Sequence, residues 1–140
     1  MDTLVVRPAR LDDLSDIVEL RMALLREYAN APLYAGLKPD AEDRARDLYL
    51  TQLLSSQETM FLAERGARVV GILRCVETPG SPLMFPERYC YVSSVYVRPA
   101  ERRRGVLRAL LAAAERWCAD HGLDEMRLHN SASTPTIATV

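Results

Sequence analysis

The sequence is short of the residues that staple or metallate small proteins. It has three cysteines, Cys75, Cys90 and Cys118, and two histidines, His121 and His129. An odd, widely spaced cysteine set fits neither a disulfide framework nor a zinc site. Two separated histidines match no histidine-based metal motif, so no metal is expected. No apolar run is long enough to span a membrane, and the early Asp2 argues against a secretory leader. A net charge of −1 leaves no bulk field to recruit nucleic acid or an anionic membrane. There is no internal repeat, low-complexity tract or linker. The cluster Thr78-Pro79-Gly80-Ser81-Pro82 reads as a loop between strands. A reducing cytoplasm is the expected compartment.

What is present is an ordinary globular composition, 49% hydrophobic and 26% charged over 140 residues. That length suits one domain, 1–140, with a core of its own. Thr3–Arg7 is a β-branched run closed by Pro8, a first strand. Leu14, Ile17, Val18, Leu20, Leu24 and Leu25 follow at helical spacing, with Asp12 and Asp13 where a helix start favours negative charge. Residues 30–39 read as loop. A second helix is expected over Asp40–Leu54, with Asp40 as N-cap. Thr59–Glu64 and Arg68–Glu77 make a hairpin around Arg65-Gly66. Arg88–Arg98, rich in Tyr and Val, is the strongest strand signal.

Arg104–His121 is a strong helix, with Leu107, Leu110, Leu111, Ala114 and Trp117 as its apolar face and Gly122 as its C-terminal stop. Asp124–His129 is a further strand, and Thr134-Pro135 reads as the start of a helix. The order β-α-α-β-β-β-α-β-α gives an α/β domain with a mixed sheet: the hairpin is antiparallel and the late β-α-β unit is parallel. Met22, Met60, Met84 and Met126 read as core or loop filler, and Trp117 as core.

The informative stretch is Val95–Leu111, VYVRPAERRRGVLRALL. A strand ends, and an Arg/Gly-rich loop opens directly into a helix. First-turn amides have no partner inside their helix, and with the helix dipole they form an anion site. Gly105 permits close approach of a ligand or a backbone barred to other residues. Arg98, Arg102, Arg103, Arg104 and Arg108 add positive charge. A pyrophosphate suits this arrangement. Two other readings stay open: a strand–loop–helix built only for packing under a solvated arginine face, and a nucleic-acid patch. The last is weaker, because no stacking aromatics interleave with the arginines.

Arg102-Arg103-Arg104-Gly105-Val106-Leu107 resembles the signature Arg/Gln-x-x-Gly-x-Gly/Ala of the GNAT superfamily of acetyl-coenzyme A-dependent N-acetyltransferases. Val95-Tyr96-Val97-Arg98-Pro99 resembles that family's fourth strand. Val6-Arg7-Pro8-Ala9 with Asp12-Asp13-Leu14 resembles its first strand and helix, and Val70-Gly71-Ile72 its third strand. The resemblance runs nearly end to end. It implies a mixed, mostly antiparallel sheet flanked by helices. It also implies that backbone amides of the loop, Arg103 to Arg108, hold the coenzyme A pyrophosphate, with Arg102 opening the motif. The strand backbone at Val95, Tyr96 and Val97 would pair with the pantetheine arm. A strand-four bulge, expected at Ser93-Ser94, would open a slot for the thioester.

The sequence departs from the family pattern twice. Leu107 stands for the final Gly/Ala, and it is expected on the core side of the helix. Thr134-Pro135-Thr136-Ile137 occupies the family's Asn-x-x-Ala register, which leads into a helix bearing a catalytic Tyr. Val140 falls short of that Tyr, so the domain is expected to be C-terminally incomplete, lacking the family's final strands. The fifth strand would then be an exposed edge open to homodimer pairing.

The reaction implied is direct attack of a neutral primary amine on acetyl-coenzyme A. It needs a proton acceptor, an oxyanion donor and good positioning. Candidate catalytic groups are His129, Glu77 and, through a water, Ser94. Cys90 lacks a partner that would make it a nucleophile. The acceptor is a small molecule, amino acid or peptide, its site lined by residues 30–39 and Thr78–Pro86. The alternatives are an acyl-coenzyme A-binding module without transfer and a nucleic-acid-binding domain using the Arg98–Arg108 cluster.

Overall fold

Alternation of large apolar residues decides how the central strands pack. In Met60-Phe61-Leu62-Ala63 all four side chains are buried, but Met60 and Leu62 join one core and Phe61 and Ala63 the other. A strand buried on both faces needs a helical layer on each side. A computed structural model describes residues 3–28, 30, 36–129 and 135–139, and it has this arrangement. The elements are β1 (Leu4–Pro8), α1 (Leu14–Glu27), α2 (Ala41–Leu53), β2 (Glu58–Arg65), β3 (Arg68–Pro79), β4 (Arg88–Val97), α3 (Val106–Asp120), β5 (Glu125–His129) and β6 (Pro135–Thr139). Short 3-10 turns precede α1 at Leu11–Asp13 and follow β4 at Pro99–Glu101.

The sheet order is β1-β2-β3-β4-β5-β6. Every neighbouring pair is antiparallel except β4–β5, which is parallel and bridged by α3. The mixed, mostly antiparallel sheet flanked by helices is therefore as expected. Helices α1 and α2 cover one face through Ile17, Val18, Leu20 and Tyr49. Helix α3 covers the other through Val106, Leu110, Ala114 and Cys118. Gly71 on β3 lets α3 come down: a Cβ there would lie 2.9 Å from Val106 Cγ1 and 3.3 Å from Leu110 Cδ1.

Several local expectations change. Residues Pro135–Thr139 form β6, antiparallel to β5, and not the start of a helix. Strand β5 is consequently not an edge, and the ground for pairing two copies through it is gone. Asp40 caps nothing with its side chain; the carboxylate accepts from Arg44 Nε at 2.9 Å, one turn on. Leu107 is 46% exposed and does not face the core, because Gly105 starts the helix one residue before Val106 and turns Val106 inward. Gly122 does stop α3, at φ 68. Residues 29 and 31–35 of the expected first loop, and Thr134, lie outside the described residues. Among the described residues no helix is long and apolar enough to cross a membrane.

One ion cluster fastens the entrance of the chain. Arg7 on β1 donates to both carboxylate oxygens of Asp13, each at 2.8 Å, and to Glu64 on β2. The Arg10 amide adds a third bond to Asp13 at 2.7 Å. Asp13 is buried, so these bonds, that from Arg7 first, hold its carboxyl below the usual range against the cost of burial.

Two stability measurements follow. A depressed folded pKa gives a stabilisation that is complete above the ordinary Asp value and disappears as pH falls through the folded value. Asp13→Asn should therefore cost about 2 kcal/mol at pH 7 and progressively less in acid. Urea unfolding of both proteins at neutral and strongly acidic pH checks it, and a pH-independent difference would contradict it. In the same assay Leu110→Ala, fully buried, should cost about 2–5 kcal/mol. The half-exposed Leu107→Ala should cost under about 1 kcal/mol.

Candidate functional site

The site begins with a miscount between two strands. On β3 the register passes from Ile72 to Arg74, while on β4 it passes from Tyr96 to Ser93, so β4 holds one extra residue there. Ser94 absorbs it at φ 55. A bulge bends its strand and increases the local twist. The expected bulge at Ser93-Ser94 thus falls at Ser94. β4 pairs with β5 only from Cys90 to Val92, and beyond the bulge the two part.

From there to its end β4 has an open edge. The Arg98 amide donates to Val70 on the β3 side at 2.9 Å. Strand residues alternate, so Val97 and Val95 turn their N–H and C=O groups to the open side. The edge leads through the 3-10 turn and Arg103, at φ 63, to Gly105, at φ 86, the N-cap of α3. A Cβ on Gly105 would meet nothing within 4 Å, so conformation rather than crowding demands glycine here. The first-turn amides of Val106, Leu107 and Arg108 have no intrahelical acceptor, and no acidic residue lies in that turn.

Together these parts line a cleft of about 790 Å³. Its walls are Val95, Tyr96 and Val97 on one side, Arg103 and Gly105–Arg108 on another, and Leu24 and Tyr28 of α1 on a third. Among its lining residues Glu101 is the only carboxylate, and it is neutralised by Arg65 at 2.9 Å and Arg104 at 3.4 Å. Unpartnered amides at a helix start, with little negative charge nearby, make an anion site. The apolar strand edge beside it suits an extended, amide-bearing chain.

The arginines divide into two groups. Arg98 donates to Val69 O at 2.8 Å and pairs with Glu19. Arg102 donates from Nε to Val97 O at 2.9 Å, pairs with Glu27 at the end of α1, and lies over the Tyr96 ring. Its guanidinium pKa is raised, first by Glu27. These two, with Arg104, brace the loop. Arg103 and Arg108 line the cleft, are exposed, and have no ion-pair partner among the described residues. The basic patch is smaller than the sequence suggests, which counts against a nucleic-acid surface.

The expected catalytic groups are dispersed. Glu77 does not end β3; it lies in register with Cys90 and pairs with Arg88 at 2.9 Å. Cys90 is about 17 Å along the strand from Val95, and Glu77 is absent from the cleft lining. This corrects its placement near the cleft. Ser94 is in the bulge itself, at φ 55. His129 follows Leu128, the last β5 residue paired with β4, so its backbone stands where the two strands separate. Cys90 is no nucleophile. Contact with Cys118 pulls its thiol down, but contact with Cys75 and burial outweigh that and push it up to about 12. Among the described residues no group of three or more His, Cys, Asp or Glu could hold a metal ion. Sequence reasoning missed Leu24 and Tyr28, which reach the site from α1 and stand outside the motif.

Residues 21–138 match the family model described as Acetyltransferase (GNAT) family. An aminoglycoside N(6')-acetyltransferase type 1 of Klebsiella aerogenes is 36% identical over 96 residues, 56% of this chain. The chain's match spans 63% of that relative's length. Among solved structures, an acetyltransferase with acetyl-CoA from Clostridium acetobutylicum superposes with a TM-score of 0.75 at 15% identity, over 94% of this chain and 84% of that one. A GCN5-related N-acetyltransferase from Ralstonia eutropha gives 0.72 at 27% identity, over 92% and 84%. With the bulged strand, the open edge and the glycine-started helix in the order the motif implies, the family match assigns the whole arrangement: the chain belongs to the GNAT acetyltransferase family.

Proposed function

We propose that residues 1–140 act as one acetyl-coenzyme A-dependent N-acetyltransferase domain, working on a primary amine. The observation that supports this most is the continuous path from the open edge of β4 to the first turn of α3. The amides of Arg103–Arg108 bind the pyrophosphate, helped by the side chains of Arg103 and Arg108. The backbone of Val95 and Val97 pairs with the pantetheine arm. For Val97 this competes with the bond from Arg102, so Arg102 contributes mainly by bracing the loop. Tyr96, also expected to pair with the arm, turns its backbone to β3 in register with Ile72 and gives the cleft only its buried ring, from beneath.

The pantetheine arm then ends at the bulge. The neutral amine attacks the thioester carbonyl there, the C–N bond forms and the C–S bond breaks. An open-edge amide near Val95 stabilises the oxyanion. One proton leaves the amine and one reaches the departing thiolate. His129 is the candidate acceptor, from the place of its backbone where β4 and β5 separate and because imidazole is the usual side-chain base near neutral pH, and Ser94 holds a water. Holding amine and thioester together supplies much of the rate. The acceptor class is first sought among aminoglycosides. The Klebsiella relative has that activity in its name, and one structural neighbour, at 22% identity, binds a bisubstrate analogue of coenzyme A and acetylneamine.

A non-transferring acyl-coenzyme A binder is the second reading. It is favoured by β6 standing where the resemblance implies a helix leading to the acid Tyr. Release of free coenzyme A in the presence of an amine panel separates the two.

Gly105→Glu should abolish coenzyme A binding, because it sets a carboxylate at the amide cluster and strains a positive φ by about 1–2 kcal/mol. Gly105→Asn, which tolerates that backbone, should retain binding. Titration calorimetry on folded variants checks both, and unchanged affinity in Gly105→Glu would sink the anion-site assignment. Raising salt should weaken coenzyme A binding only partly, since backbone amides supply the site and the two arginines supplement it at an exposed rim. Near-complete loss at high ionic strength would contradict this.

A further inference from the structure

The bulge has a fastening of its own on the sheet face that α1 and α2 cover. Three side chains lie in a row across β2, β3 and β4: Glu58, Arg74 and Ser93. Strand register sets the row. Arg74 stands opposite Met60 on β2 and opposite Ser93 on β4. Met60 and Ile72, the neighbour of Arg74 on the same face of β3, belong to the core beneath α1 and α2. The Arg74 guanidinium uses all three nitrogens. Nε and Nη2 donate to the two carboxylate oxygens of Glu58 at 2.7 and 3.1 Å, and Nη1 donates to Ser93 Oγ at 3.3 Å. The side chains of Arg74 and Glu58 are only 19% and 11% exposed. An ion pair taken that far out of water adds little stability, and apolar residues of similar size would fill the space as well. What it does supply is direction. The planar fork holds the guanidinium in one orientation, and its third arm ends on the last β4 residue in register before the bulge.

Backbone bonds carry no information about register, so side chains must set it. With Ser93 held against Arg74, β4 next comes into register at Tyr96, opposite Ile72, and the surplus is confined to Ser94 and Val95. We propose that Glu58 and Arg74 are positioning residues for acyl transfer: through Ser93 they fix where the bulge falls, and with it the direction of the Val95 amide that faces the thioester. Neither touches a substrate in this arrangement, since both are absent from the cleft lining. The role rests on the transferase reading above, but the strut itself does not. Coenzyme A's pyrophosphate is held at the other end of the cleft, so loss of the strut should leave that affinity alone and reduce turnover.

The test uses three variants. Ser93→Ala removes the anchored hydroxyl and leaves the ion pair intact, Arg74→Lys keeps the charge without the fork, and Glu58→Gln frees the guanidinium. In Ser93→Ala the Tyr96 amide, just past the bulge, should exchange with deuterium about tenfold faster, as befits loss of one hydrogen bond near it. Its kcat should fall about 100-fold, the scale of a misplaced reacting group. It should still bind one acetyl-coenzyme A per chain with unchanged Kd, and the KM for the amine should be unchanged, which a loss of folded protein would not give. Arg74→Lys and Glu58→Gln should match it, and Ser93→Ala combined with Arg74→Lys should be no worse than either alone. Unchanged Tyr96 exchange in Ser93→Ala overturns the strut, and that variant decides even if the charge variants fail to fold. Faster exchange with unchanged kcat, a fall in kcat matched by a fall in bound acetyl-coenzyme A, or additive losses in the combined variant overturns the positioning role. A wild-type protein that neither binds acetyl-coenzyme A nor releases coenzyme A with any amine overturns the transferase reading and the role together, while the exchange result still decides the strut.

Discussion

Everything about the site depends on strand β4 being unable to pair on both sides along its whole length. Up to Val92 it has neighbours on both edges; past the extra residue at Ser94 it keeps β3 and parts from β5. A fully paired β4 would be an ordinary interior strand with every amide satisfied. The bulge leaves a row of donors and acceptors unmatched in the middle of a sheet, where water alone is a poor substitute for a partner. An extended ligand with its own amides is the natural complement, in the manner of an added strand.

The same logic governs the other end of the cleft. Helix α3 could have been started by Ser, Thr or Asp, whose side chains satisfy first-turn amides. Gly105 has no such side chain, and its positive φ delivers the chain into the helix with those amides outward. Gly71 completes the arrangement from below, because only a missing Cβ lets Val106 and Leu110 settle on β3 and hold the helix start beside the strand edge. Two glycines far apart in sequence thus set one geometry.

The parts of this design that are local in sequence were legible there. β4 announces itself in RYCYVSSVYV, α3 in its apolar spacing, and the junction in RRRGVL. Even the bulge could be placed, since the pair Ser93-Ser94 interrupts the run of large residues. The missed features depend on partners elsewhere. Nothing in the arginine run says that Arg102 reaches Glu27 and Arg98 reaches Glu19, because those partners come from α1. Glu77 looked like a strand end only because the loop Pro and Gly follow closely; β3 in fact continues to Pro79, paired with Arg88. Residues 135–139 were read as helix from Thr-Pro chemistry, but pairing with β5 overrides that local preference. Leu107 shares helical spacing with the buried Leu110 and the partly buried Leu111, and a single residue's shift in where the helix begins decides which side it takes.

Dividing the arginines explains how a chain with a net charge of −1 can present a polyanion site. Were all the loop arginines free, the loop would be a flexible cationic segment, and anions would meet mobile side chains at a cost in entropy. Instead Arg98 and Arg102 are tied to backbone carbonyls and to carboxylates of α1, and Arg104 to Glu101. Those ties fix the backbone from Val97 to Gly105, so the loop amides are already aimed before any ligand arrives. Preorganised donors lose little on binding, and the remaining cations, Arg103 and Arg108, add attraction without having to define the shape. In the proposed binding mode, charge in this loop is thus chiefly a means of holding the backbone still, and the recognition falls to the backbone.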